Sequence, residues 1–170
     1  MVQLTLEFYS CILPQHISAA LQQWAMVSKE KMTCALEFEP GCSSYWSGRF
    51  RDIVIGANYN AFATKFTGFS ACHPVYDDTK MLKCVQHSLR SAMCSELPTA
   101  TFLFLPNWGN KSNNAYRTLV RGNPKFCTTL GFIPKTKHIY ARPTSWKGVQ
   151  RKISSHTWSM GIVAIWNKEA

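Results

Sequence analysis

The sequence predicts one α/β domain whose sheet is mostly parallel and carries an antiparallel C-terminal edge. Three observations point there. Residues 101–105, Thr-Phe-Leu-Phe-Leu, form the continuous apolar run that a strand buried on both faces requires. Ahead of them, Met81, Leu82, Val85, Leu89, Ala92 and Met93 recur at helical spacing, after a short run Phe69-Ser70-Ala71-Cys72. A strand, a helix and a strand in that order pair in parallel by default, because the crossover returns the chain to the same end of the sheet. Finally, strand-like segments at 138–141 and 158–166 flank a basic loop at 143–156 and are expected to pair antiparallel as the sheet's edge.

Taken in order, Val2, Leu4, Leu6 and Phe8 alternate with polar residues as in a half-buried strand. Pro14 opens a helix with Ile17, Ala20, Leu21, Trp24 and Val27 on its apolar face and Lys29 and Lys31 near its end. Residues 35–38 and 53–55 are short strand candidates, separated by the turn-rich Pro40-Gly41-Cys42-Ser43-Ser44. Asp77 or Asp78 caps a helix running to about residue 95, and Pro98 stops it. A polar loop at 109–114 follows Pro106-Asn107-Trp108 and precedes apolar segments at 116–120 and 126–133. Neither a repeat nor a linker divides the chain, so residues 1–170 are expected to form a single domain.

An apolar share of 46% and an aromatic share of 13% belong to a packed core and exclude a disordered chain. No apolar run reaches the roughly 20 residues of a bilayer span, and no secretory or transit presequence opens the chain, so a soluble protein without a membrane partner is expected. Seven cysteines without a C-x-x-C pair suit neither a closed disulfide framework nor a zinc ribbon. Free, mostly buried thiols fit an intracellular reducing compartment, nucleus or cytoplasm, with an organelle left open.

The net charge of +10 is placed unevenly. Residues 1–110 hold eight Lys or Arg and eight acids, whereas residues 111–170 hold eleven against Glu169 alone. Basic side chains interleaved with Tyr116, Phe126, Tyr140, Trp146 and Trp158 offer cations for phosphates and flat faces for unstacked bases. Nucleic acid is therefore the expected partner, with a solvated or organelle-adapted basic face and an anionic protein or membrane partner as alternatives. Gly-rich phosphate loops, Ser/His/Asp sets and paired carboxylates do not stand out.

One short segment stands where chemistry is expected. His73-Pro74-Val75-Tyr76 follows a strand and opens a helix, and open α/β sheets bind ligands at the carboxyl ends of their strands. As a plain turn, Pro74 would set φ and Tyr76 would pack in the core.

From Phe38 to Trp108, and more loosely to Asn167, the chain resembles the catalytic domain of the phosphorylated-CTD-interacting-factor family, the cap-specific adenosine-N6 methyltransferases. The features come in the same order: Glu37-Phe38, Tyr45-Trp46, the loop 66–69, the four-residue motif with its long helix, then Phe102-Leu103-Phe104-Leu105-Pro106-Asn107-Trp108, and last Gly161-Ile162-Val163-Ala164-Ile165-Trp166-Asn167. The resemblance implies a Rossmann-like S-adenosylmethionine methyltransferase fold acting on RNA ahead of DNA. It assigns catalysis to His73, Pro74 and Tyr76 and the cofactor's side to Glu37, Phe38 and Ser43. Trp108, Lys147, Arg151 and Lys152 are the expected nucleic-acid contacts.

The family motif is N-P-P-F, so His73 stands in place of Asn and Val75 in place of the second Pro. In such a motif a side-chain oxygen and the first proline's carbonyl accept the two N–H bonds of adenine N6 while the ring stacks on the base. That aims the nitrogen lone pair at the cofactor's methyl group, so catalysis is positioning. A neutral imidazole can take over one of those hydrogen bonds. The implied function is an adenine-N6 methyltransferase; the alternatives are a methyltransferase-fold pseudoenzyme binding RNA, as a partner subunit or ribonucleoprotein component, and an unrelated basic α/β binding module.

Overall fold

The computed structural model describes residues 23, 29–31, 43–48, 50–74, 76–108, 115–135, 139–142, 152–155 and 158–168. Among the described residues nine strands and two α-helices follow one another: β1 (Lys29–Lys31), β2 (Ser44–Ser47), β3 (Asn58–Tyr59), β4 (Gly68–Cys72), α1 (Asp78–Met93), β5 (Thr99–Asn107), α2 (Ala115–Gly122), β6 (Cys127–Ile133), β7 (Ile139–Arg142), β8 (Lys152–Ser155) and β9 (Ser159–Trp166). Seven strands form one mixed sheet in the order β3-β2-β1-β4-β5-β9-β6, and β7 pairs with β8 as a separate ribbon. The chain is thus an α/β protein. The expected strand at 2–8, the apolar face of the 14–27 helix and the strand at 35–38 lie outside the described residues.

The β4-α1-β5 unit forms as its periodicity predicts, with β4 and β5 parallel and in register from Gly68 opposite Thr99 to Cys72 opposite Leu103. Asp77 sits in the extended region and its side chain accepts from the Lys80 N–H at 3.0 Å, satisfying one of the helix's orphan donors. Met81, Cys84, Val85, Ser88, Leu89, Ser91 and Ala92 face inward. Met93, the last residue of the helix, does not: it is 59% exposed. Alternation along the strands builds two cores. Cys72, Leu103, Leu105, Val163 and Ile165 share a face with the inward side chains of α1 and α2, and Ala71, Phe102, Phe104, Met160 and Ala164 pack together on the other.

Four expectations are corrected. The antiparallel strand is not an edge: β9 lies between β5 and β6 and is antiparallel to both. Its Met160, Val163, Ala164 and Ile165 are buried on both faces, and only an interior place covers both. The segment expected beside it, 139–142, pairs instead with Lys152–Ser155. Lys29 and Lys31 do not end a helix but form β1, hydrogen-bonded to β2 on one side and β4 on the other. The Lys29 Nζ leaves the sheet to donate to the Thr67 carbonyl at 3.0 Å, and Gly68 at φ +67 leaves room for it, since a Cβ there would stand 3.4 Å from that nitrogen. Residues 53–55 are not a strand but the end of a 3-10 helix, Phe50–Ile55. Its Asp52 is buried and accepts from Ser47 Oγ at 2.6 Å, while Ile53 and Val54 point to solvent. Last, Ser44, read as the end of a turn, instead opens a strand, Ser44–Ser47, with Tyr45 and Ser47 buried.

Asn167 closes the far end of the long strands. Its Oδ1 accepts from the Thr99 N–H at 3.0 Å and its Nδ2 donates to the Ser95 and Leu97 carbonyls at 3.1 and 2.8 Å. Among the described residues no helix is long and apolar enough to cross a membrane.

Candidate functional site

From β1 the chain steps outward to β2 and β3, then returns to place β4 on the other side of β1. That reversal is a topological switch point, where the loops leaving two neighbouring strands diverge and open a crevice. The His73-Pro74-Val75-Tyr76 loop leaves the carboxyl end of β4 at this point. β5 runs alongside in parallel and β9 runs against it, so the carboxyl end of β5 and the amino end of β9 meet the same edge.

Those three strand ends converge on Tyr76. Its hydroxyl donates to Met160 Sδ at 3.6 Å, and its ring meets Trp108 edge to face with centroids 6.4 Å apart. Trp108 in turn meets Trp158 at 6.1 Å and 82°. Tyr76 packs against both cores, which places it where the two faces of the sheet come together at its rim. The His73 ring stands edge-on to Phe104 at 4.6 Å, with Nε2 out of solvent. Pro74, between His73 and Tyr76 in sequence, is buried and has no backbone N–H, so its carbonyl is its only hydrogen-bonding group. Beyond the loop, the Asp77 side chain is committed to its cap, and Asp78 Oδ1 is buried without a hydrogen-bond partner among the described residues. An acceptor there is favoured by the positive end of the α1 dipole.

Of the residues singled out in the sequence, His73, Pro74, Tyr76 and Trp108 come together at this edge. Ser43 does not. It directly precedes β2, and since Ser44 and Ser70 both pair with Lys29, Ser43 lies level with Phe69, four residues before His73. At roughly 3.3 Å per residue that is about 13 Å towards the opposite edge. Ser43 therefore does not fit a place beside the motif. Glu37, Phe38, Lys147 and Arg151 lie outside the described residues, and Lys152 belongs to the β7-β8 ribbon. Sequence reasoning missed Phe104, Trp158 and Met160 as members of the site. Trp158 and Met160 arrive with β9, whose place beside β5 no local pattern announces, while Phe104 arrives with β5 itself.

Among the described residues nothing at this edge resembles a nucleophile poised for attack. Burial pushes the Cys127 thiol up from an ordinary 9.0 to about 11, and Cys127 opens β6 opposite Ile165, at the far end of the sheet. Cys72 is fully buried with its Sγ 4.0 Å from that of Cys84. Among the described residues no group of His, Cys, Asp and Glu could hold a metal ion. The arrangement can hold a flat polar ring against an aromatic wall and offer it a backbone carbonyl and an imidazole. No known protein-family model matches the chain, and no curated protein matches it.

Proposed function

We propose that the chain is a Rossmann-like methyltransferase domain that receives an adenine of RNA at the His73–Tyr76 loop and methylates its N6. The observation that carries this reading is the position of that loop: it leaves β4 at the switch point and faces an aromatic wall built by Tyr76, Trp108 and Trp158. The strand order, five parallel strands followed by an interior antiparallel one, supports the methyltransferase form of the doubly wound sheet. In this reading Tyr76 stacks on the base, the Pro74 carbonyl accepts one N6 hydrogen bond and the His73 imidazole the other. S-adenosylmethionine, when bound, would supply a sulfonium methyl group: the N6–C bond would form as the C–S bond breaks, the thioether would leave as S-adenosylhomocysteine, and N6 would lose a proton to water. The chain's own contribution is orientation, which can be worth several powers of ten in rate without any acid or base.

A second reading, in which the fold binds RNA as a pseudoenzyme, is favoured by one observation. The His73 ring is packed against Phe104 with Nε2 shielded, a geometry closer to a core side chain than to a group lining a cleft. Calorimetric titration with S-adenosylmethionine separates the two. Saturable binding supports the enzyme; its absence, with RNA binding intact, leaves the pseudoenzyme.

A further inference from the structure

A second recess opens beside the acceptor loop, between α2 and the β5-β9-β6 side of the sheet. It is a cleft of about 260 Å³. Leu105, Val163 and Gly161 form its floor, and the Phe132 ring of β6 stands over it as one wall. Gly161 keeps that floor low, since a Cβ there would come within 3.4 Å of the Phe132 ring and 3.5 Å of the Leu105 carbonyl. Phe132 is 60% exposed, an aromatic face left wet on a strand whose Thr128, Thr129 and Leu130 are exposed as well.

Two guanidinium groups share the cleft. Arg117 and Arg121 are four residues apart and so lie on one face of α2. Arg117 is held in place: one Nη donates to Asn107 Oδ1, and the group lies 5.8 Å from the centre of the Tyr116 ring, itself anchored by its hydroxyl to the Pro106 carbonyl at 2.8 Å. A guanidinium carries five N–H donors, so most of Arg117's remain to be used. Arg121 has no hydrogen-bond or ion-pair partner among the described residues. The cleft lining includes no acid. One held cation and a second beside it, without a counter-charge in the cleft lining, make a partly enclosed recess suited to an anion.

The anion is further specified by its surroundings. An exposed aromatic face and an apolar floor ask for a flat ring, the guanidinium pair asks for a phosphodiester, and Asn107 and Thr129 offer polar partners for a sugar. An acidic peptide would satisfy the arginines and leave Phe132 unused. The cleft falls below the roughly 300–1,000 Å³ of sites that engulf a whole cofactor or drug-sized ligand, which suits one nucleotide unit of a longer strand. It also lies next to the acceptor loop. Asn107, which holds Arg117, precedes Trp108, which packs on Tyr76, and consecutive Cα atoms are about 3.8 Å apart.

We infer that this cleft is a nucleotide subsite that grips a neighbour of the target adenosine in single-stranded RNA. The inference rests on the acceptor-loop reading for the identity of that target. Arg121→Gln and Phe132→Ala test it, because both side chains are exposed and neither is needed for packing. Fluorescence anisotropy with a labelled single-stranded RNA of about eight nucleotides gives the readout, repeated over a salt series and with a poly-glutamate peptide as competitor. Phe132→Ala is expected to weaken binding about five-fold or more, the least a lost base stack gives. Arg121→Gln should weaken it and make the salt slope shallower by about 0.7, one phosphate contact on a single strand. If both variants keep wild-type affinity while Tyr76→Ala loses it, the cleft assignment is overturned and the acceptor loop stands. The reverse pattern keeps the cleft and overturns the acceptor loop. Tighter binding of poly-glutamate than of RNA, lost in Arg121→Gln and kept in Phe132→Ala, overturns the nucleotide assignment, as does an absence of RNA binding at low salt.

Discussion

The two wings of the sheet differ in how firmly they are built. On one side β5 and β9 pair over eight registered positions, from Ala100 opposite Trp166 to Asn107 opposite Ser159, and the Asn167 side chain ties their far end to the turn before β5. On the other, β1, β2 and β3 have three, four and two residues, and each neighbouring pair is registered over only two positions. The buried Ser47–Asp52 hydrogen bond is the clearest side-chain tie there. Apart from Tyr76, which follows β4, the groups around the acceptor loop, Phe104, Trp108, Trp158 and Met160, stand on or directly beside the strands of the long wing. A site that works by orientation needs its groups held to a fraction of an ångström, and long paired strands provide that where short ones open locally at low cost.

The comparison breaks most visibly if the long wing's core is opened. Phe104 is fully buried and backs the His73 ring, so Phe104→Ala should cost about 3 to 5 kcal/mol in urea unfolding. Val54→Ala on the short wing, at 89% exposure, should change stability by less than about 0.5 kcal/mol. A smaller loss is expected from Asn167→Ala, which strands the buried Thr99 N–H and frees two carbonyls: about 2 to 3 kcal/mol, with faster amide exchange along β5. Asp52→Ala should cost about 1 to 2 kcal/mol, and its effect on exchange should stay within residues 44–59. Exchange in β5 accelerating equally in Asp52→Ala would mean that the wings open as one unit.

The least of these effects concerns thiols. Among the four described cysteines Cys94 is exposed while Cys72, Cys84 and Cys127 are buried, so mass spectrometry should find Cys94 alkylated before those three in the folded protein. Cys127 also sets a direction with pH. Its folded value near 11 lies above the ordinary 9.0, so the stabilisation is fully present below pH 9 and is lost as pH rises towards 11, because the unfolded thiol ionises first. Stability that rises over that interval would contradict the burial of Cys127.

The same contrast explains what could be read from the sequence. The β4-α1-β5 unit was legible because each element is long enough to display its own period, and Asp77 and Pro98 punctuate it. Local signals therefore located His73, Pro74 and Tyr76, and the family resemblance added Trp108. β1 was not legible: Lys-Glu-Lys has no apolar pattern, and its two neighbours alone make it a strand. The 3-10 helix at Phe50–Ile55 hid behind an apolar Ile-Val-Ile because the tether that turns it, Ser47 to Asp52, is a contact rather than a composition. β9 had the right extent but the wrong place, since a strand's neighbours are fixed by which faces are buried, not by its order in the chain. The cleft between α2 and β6 escaped for the same reason. Arg117, Arg121 and Phe132 were visible as charge and aromatic content and became a site only when β9 brought Gly161 beneath them.

Transfer of labelled methyl from S-adenosylmethionine to adenine-containing RNA tests the acceptor loop most directly, measured for wild type, His73→Asn, Tyr76→Phe and Tyr76→Ala. Wild type should label adenine N6. His73→Asn should equal or exceed it, since an amide oxygen then accepts the N6 hydrogen bond, and Tyr76→Phe should keep most of the rate. Tyr76→Ala should lose the stacking face and about 1 to 3 kcal/mol of base binding with it. No label in wild type or in His73→Asn, with no cofactor bound by either, would contradict the methyltransferase reading of the loop.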